Sequence, residues 1–367
     1  MTQANEALVR RILGDLIDTH TGAPLADALR AVGVDGPRVS VDIQLGYPAT
    51  GAIDSLSHRV RQALEADPAI EAAAVSITSR IHVHKVQGTL APLPNVKNII
   101  VVASGKGGVG KSTVSANLAL ALQAEGAKVG VLDADIYGPS QPRMLGVSGR
   151  PASPDGKSIT PMQAHGLSVM SIGFMVEEDT PMIWRGPMVT QAMMQLLNDT
   201  RWEQLDYLIV DLPPGTGDIQ LTLSQKVPVA GAVIVTTPQD IALLDARKAL
   251  KMFEKVEVPV LGIVENMATH ICSNCGHEEH IFGEGGGARM ATQYEVPYLG
   301  SLPLDIRIRE QVDGGNPTVA AMPDSDLTAR YREIARNTTG RLSRQPRNKS
   351  LGLGKIVVQG APSAPAA

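Results

Sequence analysis

A glycine-rich octapeptide, Gly105-Lys106-Gly107-Gly108-Val109-Gly110-Lys111-Ser112, separates an apolar run at residues 99–103 from a stretch of good helix formers that starts at Lys111. It satisfies the pattern G-x4-G-K-[S/T]. Glycines let successive backbone N–H groups turn inward, and the N-terminus of a following helix adds positive potential, so the segment is suited to cradle phosphate. In such a cradle Lys111 reaches the β- and γ-phosphates and the Ser112 hydroxyl holds magnesium. The bland alternative is a glycine turn with no ligand. It is outweighed because strand, loop and helix occur together.

The surroundings extend this local pattern into a fold. From Asn98 onward, apolar strands alternate with helices, as in a parallel sheet covered on both faces. Strands are predicted at residues 99–103, 129–133, 167–172, 207–211, 231–236, 260–264 and 298–300. Helices are predicted at 111–125, 187–197, 240–256 and 325–336. The fold class expected is α/β, a P-loop NTPase with a mostly parallel, doubly wound sheet, over residues 98–340. Residues 1–85 read as a separate small α+β domain. Leu8, Ile12, Leu16 and Ile17 recur at helical spacing, Val39, Val41, Ile43 and Leu45 alternate as in a strand, a helix covers 52–65, and Ala73, Val75 and Ile77 mark another strand. Residues 86–97, with Gly88, Pro92 and Pro94, read as a linker. Residues 341–367 form a tail that is first basic and then Ala/Pro-rich, with disorder expected at 361–367.

Composition narrows the partners. A hydrophobic fraction of 43% with 19% charged residues fits a soluble globular chain of this length, 367 residues. The net charge of −4 gives no global reason to expect nucleic acid or an anionic membrane, and 3% aromatics leave little for base stacking. No apolar run reaches spanning length and the first residues lack the apolar core of a signal peptide, so a cytoplasmic location is expected.

Two strand ends carry carboxylates where a doubly wound sheet places its ligand edge. The first is Val131-Leu132-Asp133-Ala134-Asp135. The second runs into Asp211-Leu212-Pro213-Pro214-Gly215-Thr216-Gly217-Asp218. A lone aspartate at a strand end is more often a helix cap. Two of them downstream of a phosphate loop favour magnesium and water instead, with Asp211 holding the ion through water. With the additional Lys106, the loop resembles the deviant Walker A motif of the MinD, ParA and nitrogenase-iron-protein class. That resemblance implies that Lys106 crosses a dimer interface to the partner's ATP. It also implies that Asp135 orients the attacking water or reaches magnesium, with Asp133 behind it. Lys106, Lys111 and Asp135 are then the catalytic set. The nucleotide would contact Gly105, Lys106, Gly107, Gly108, Val109, Gly110, Lys111, Ser112 and Thr113, and magnesium would meet Ser112, Asp135 and Asp211. Asn266 stands where relatives read the adenine edge; a turn residue explains it equally well. Pro238-Gln239 would flank the base.

The two cysteines, Cys272 and Cys275, form a C-x2-C pair that is half of a four-ligand metal site. Three completions are open: zinc with His277 and His280 in one chain, a redox dithiol, or a second chain giving its own pair across a symmetry axis. The segments GKGGVGKS, DADIYGPS, DLPPGTGD, ENM and CSNCGHEEHIFGEGG, in this order, resemble the Mrp/ApbC family of iron–sulfur cluster carrier ATPases over about residues 98–336. Residues 1–85 resemble the small domain often fused upstream, here without a cysteine. The resemblance implies a homodimer with a 4Fe-4S cluster at its interface, ATP hydrolysis, and transfer of the cluster to apo-proteins. The competing readings are a MinD/ParA-like positioning ATPase, an ATP-driven reductase and a zinc-stabilised nucleotide switch. The glycine run Gly283-x-Gly285-Gly286-Gly287 has no following lysine and reads as a flexible turn.

Overall fold

The computed structural model describes residues 3–175, 186–272 and 274–348; the tail at 361–367 lies outside them. Strands of the central sheet lie in the order Tyr298–Ser301, Val260–Glu265, Gly231–Thr236, Val96–Ala103, Leu205–Asp211, Val129–Asp133, Leu167–Ser171 and Met162–Ala164. All neighbours are parallel except the last pair. Ile99, Ile100, Val101 and Val102 are at most 2% exposed, which is why these strands read as unbroken apolar runs rather than alternating ones. The helix Lys111–Ala124 buries residues all round its circumference, because the sheet covers one side and the helix Asp326–Ser343 another.

Residues 4–77 form a second core. Leu29–Asp35 pairs antiparallel with Arg38–Leu45, which pairs parallel with Ala72–Ser79. The helices Glu6–Asp15 and Ile53–Glu65 bury Leu8, Val9 and Leu13 and Leu56, Val60 and Leu64. The Leu29–Asp35 strand is absent from the pattern-based reading. It is an edge strand with no buried residue, so no alternation marks it. The helix Asp218–Lys226 is also additional; the Pro/Gly run before it hides its start.

The last helix extends beyond the expected boundary at residue 340, to Ser343. Burial of Thr338, Thr339 and Leu342 carries it onward. Basic residues of the expected tail dock on the N-terminal unit: Arg341 Nη1 donates to Thr21 O at 2.9 Å and Arg344 Nη1 to Asp27 Oδ2 at 2.8 Å.

The junction of the two units centres on Glu125, the residue that caps the C-terminus of the Lys111–Ala124 helix. Its fully buried carboxylate accepts from Arg332 Nε and Arg336 Nη1, both at 2.7 Å, and from Gly51 N at 2.8 Å. Its carbonyl accepts from Thr50 Oγ1 at 2.8 Å. Removing one partner of a buried charge network strands the others, so Glu125→Ala is expected to lower unfolding free energy by about 3 kcal/mol. Urea denaturation measures it; a loss below about 0.5 kcal/mol would class the contacts with exposed ion pairs.

Candidate functional site

The phosphate loop leaves the Val96–Ala103 strand and turns into the helix at Lys111. Gly108 and Gly110 have φ of +80° and +79°, a region that side chains rarely adopt. Space demands glycine as well. A Cβ on Gly105 would lie 2.0 Å from the Asp245 carbonyl carbon, and one on Gly110 2.2 Å from Asn266 Nδ2. Gly107 and Gly108 are exposed, Val109 is buried, and Ser112 and Thr113 are half-buried beside the loop. Lys106 is half-exposed and makes no ion pair among the described residues.

Lys111 points inward. Its Nζ, on a side chain 5% exposed, lies 2.6 Å from Asp211 Oδ1 and 3.2 Å from Ser112 Oγ. Asp211 is fully buried and takes two further donors, Ser115 Oγ at 2.8 Å on Oδ1 and Gln141 Nε2 at 3.0 Å on Oδ2. Parallel register sets Asp211 beside Asp133. Asp133 accepts from Asp135 N, Gln141 N and Ser171 Oγ, each at 3.1 Å. Burial, reinforced by the neighbouring Asp211 charge, pushes the Asp133 carboxyl up to about 7. Burial also raises Asp135, against the pull of Lys111.

Three buried carboxylates thus face one ammonium. That surplus of negative charge, with the Ser112 hydroxyl adjacent and the Gln141 Oε1 and Ser140 Oγ atoms buried without partners, fits a magnesium ion. Ser115 and Gln141 were not singled out from sequence. Ser115 lies one helical turn after Lys111, which is a usable signal. Gln141 follows an irregular stretch and has none.

Asn266 ends the Val260–Glu265 strand and is 7% exposed. Its Nδ2 donates to Val109 O at 2.9 Å, so the amide ties the strand to the loop. At Pro238-Gln239, Thr237 Oγ1 donates to Gln239 Oε1. The glycine run is not a flexible turn. Gly285 caps the helix Gly286–Gln293, and Gly287 N donates to the buried Glu265 carboxylate at 2.8 Å. A Cβ at Gly287 would come 2.9 Å from Glu265 Cβ, so the glycine allows this close approach.

The cysteines sit on a hairpin whose arms, His270–Ile271 and Glu278–Glu279, pair antiparallel. Cys272 N donates to His277 O at 2.9 Å and Gly276 N to Cys272 O at 2.8 Å, with Gly276 at φ +71°. Backbone N–H groups of Cys275 and Asn274, then the Cys275 thiol, lower the Cys272 pKa and so favour its thiolate. Cys272 is half-buried and Cys275 exposed. His280 Nδ1 lies 3.1 Å from Ala268 O. Among the described residues, no group of three or more His, Cys, Asp or Glu is arranged to hold a metal. The single-chain zinc site with His277 and His280 is therefore not assembled. Ile241, Leu244, Ile271 and Ile281 are exposed apolar side chains of this part of the chain.

Residues 95–339 match the family described as NUBPL iron-transfer P-loop NTPase, and residues 6–77 match the iron-sulfur cluster assembly protein family. The chain is a member of the NUBPL iron-transfer P-loop NTPase family. Within the wider set of relatives, it is 62% identical to the iron-sulfur cluster carrier protein of Pseudomonas fragi, over 74% of this chain and 95% of that one. It is 54% identical to the Haemophilus influenzae iron-sulfur cluster carrier protein, over 86% of each. The mouse iron-sulfur cluster transfer protein NUBPL is 50% identical over 70% of this chain and 81% of its own. A solved nucleotide-binding protein from Archaeoglobus fulgidus, in complex with ADP, is 39% identical with a TM-score of 0.56, covering 64% of this chain and 91% of that one. This P-loop NTPase has no helix among its described residues long and apolar enough to cross a membrane.

Proposed function

We propose that this protein is an ATP-dependent iron–sulfur cluster carrier. It binds ATP at residues 105–113, holds a 4Fe-4S cluster between two copies of itself, hydrolyses the ATP, and passes the cluster to apo-proteins. The cytoplasm is its compartment, where thiols stay reduced. The observation that carries this reading is the hairpin. It offers two sulfurs, one exposed and one half-buried, and no third donor among the described residues, while a cubane needs four ligands. A positioning ATPase leaves that hairpin without a task, and the zinc switch needs His277 and His280 to join the cysteines, which they do not do among the described residues.

In this reading Lys111 leaves Asp211 to meet the β- and γ-phosphates. Ser112, Asp211 and Asp135 hold magnesium, which offsets charge on the phosphates when bound. Asp135 orients the attacking water, and Lys106, without an ion pair among the described residues, reaches the partner's nucleotide. Asn266 keeps the loop in register with its strand and adjoins the base. The exposed isoleucines and Leu244 give the dimer an apolar contact around the cluster.

Ligand counting supplies the test. Anaerobic reconstitution is expected to give one 4Fe-4S cluster per homodimer, about two irons and two sulfides per chain. Iron, sulfide and zinc analysis combined with size-exclusion mass reads it. Stoichiometric zinc in a monomer, with no iron chromophore, overturns the carrier function.

A further inference from the structure

Gln87 belongs to the linker, yet its side chain reaches a helix 137 residues further along the chain. It is 7% exposed, and its Nε2 donates to Ser224 O at 2.7 Å and to Val227 O at 2.6 Å. Its Oε1 accepts from Val229 N at 2.9 Å. The sequence explains why help from outside is needed there. Four residues after Ser224 stands Pro228, which has no N–H, so the end of the helix Asp218–Lys226 leaves the Ser224 carbonyl without its helical donor. Gln87 supplies one. The linker around it is itself held, with His84 N donating to Asn98 Oδ1 at 3.1 Å and Lys85 N to Pro346 O at 2.8 Å.

The same helix carries polar atoms that are not satisfied. Gln220 and Ser224, one turn apart on one face, are 2% and 0% exposed. Gln220 Nε2, Gln220 Oε1 and Ser224 Oγ find no hydrogen-bond partner among the described residues. Buried polar atoms are nearly always paired, because leaving them unpaired costs free energy. Three of them on one face mark a position that the helix gains by leaving. Its start is tied to the phosphate site. The loop before it begins after Asp211, the partner of Lys111, and Gly215 N donates to Ser104 O at 3.0 Å, next to Gly105.

We propose, resting on the ATP site proposed above, that Gln87 is a clasp between the linker and this helix, and that nucleotide opens it. When Lys111 turns to the phosphates, the loop after Asp211 loses a tether. The helix then shifts to pair the Gln220 amide and the Ser224 hydroxyl. Ser224 belongs to both arrangements: moving it to pair its Oγ draws its carbonyl away from Gln87 Nε2. Nucleotide occupancy thereby sets how firmly the linker is held, leaving the Glu125 junction and the last helix to hold the N-terminal unit.

Hydrogen exchange of the full-length protein tests this at the Val229 amide, which Gln87 Oε1 holds. Saturating magnesium with a non-hydrolysable ATP analogue is expected to speed its exchange about tenfold in the wild type. In Gln87→Leu the amide is expected to exchange fast with or without nucleotide. That variant is also expected to bind the analogue about fivefold more tightly, since linkage is reciprocal and the clasp no longer opposes the shift. Gln220→Leu, which removes the unpaired amide, is expected to bind the analogue yet keep Val229 slow. Bound analogue with unchanged Val229 exchange in the wild type overturns the clasp and spares the ATP site. Absence of analogue binding by the wild type overturns both. Equal or weaker binding by Gln87→Leu overturns the clasp, because mere damage loosens a site and only release of an opposing contact tightens it. So does Val229 exchange in nucleotide-bound Gln220→Leu as fast as in the wild type.

Discussion

Cys272→Ala and Cys275→Ala each yield protein without a reconstitutable iron–sulfur chromophore, while affinity for ATP stays within about twofold of wild type, as for sites with no shared partners. Either change halves the sulfur count, leaving one thiolate per chain and two per dimer where a cubane takes four. Neither protein donor set offers a substitute, since no third His, Cys, Asp or Glu of the described residues joins the pair. The hairpin is held by its own two-stranded pairing and by the contacts of His270 with Leu304 O and of His280 with Ala268 O, and among the described residues it shares no hydrogen bond with the phosphate loop, so nucleotide binding is expected to be spared. Iron and sulfide analysis beside ATP titration measures both quantities. Wild-type iron in either variant removes the cysteines from the site, and lost ATP affinity would mean that the hairpin supports the loop.

Lys111→Ala is expected to weaken ATP binding by at least ~30-fold, because truncating one partner of a buried, hydrogen-bonded charge contact costs about 2–5 kcal/mol or more. Two effects add. The phosphates lose their lysine from this chain, and the site is left with Asp133, Asp135 and Asp211 facing no ammonium at all, which repels an anion. The Lys111 Nζ to Asp211 Oδ1 distance of 2.6 Å identifies the charge that disappears. Equilibrium titration with a labelled ATP analogue reads the loss, and circular dichroism checks that the variant is folded. Affinity within about threefold of wild type, under 1 kcal/mol, would transfer the phosphate contact to Lys106.

The parts of this protein that were legible from sequence are those in which a local pattern has one physical cause. Unbroken apolar runs such as 99–103 could be read as central strands because both faces are buried. The loop could be read as a turn from strand to helix because Gly108 and Gly110 take backbone conformations that side chains rarely adopt. What was not legible depends on contacts between distant segments. Glu125 looks like any helix-ending glutamate until Arg332 and Arg336, more than two hundred residues later, close on it. Gln141 is an ordinary polar residue until it bridges Asp133 and Asp211. The Gly286-Gly287 pair was misread because the reason for glycine there is the approach of Glu265 from another strand. The extension of the last helix to Ser343 is of the same kind, since Arg341 is held by Thr21.

The Lys111–Asp211 contact has a consequence for how ligands enter. In the proposed function, the ammonium that the phosphates recruit is the same one that neutralises Asp211. A nucleotide arriving alone takes that charge away and strands a carboxylate at zero exposure beside Asp133. A divalent cation arriving with it restores the balance. On that reading metal and nucleotide are thermodynamically linked at this site, each raising the affinity for the other by one and the same factor.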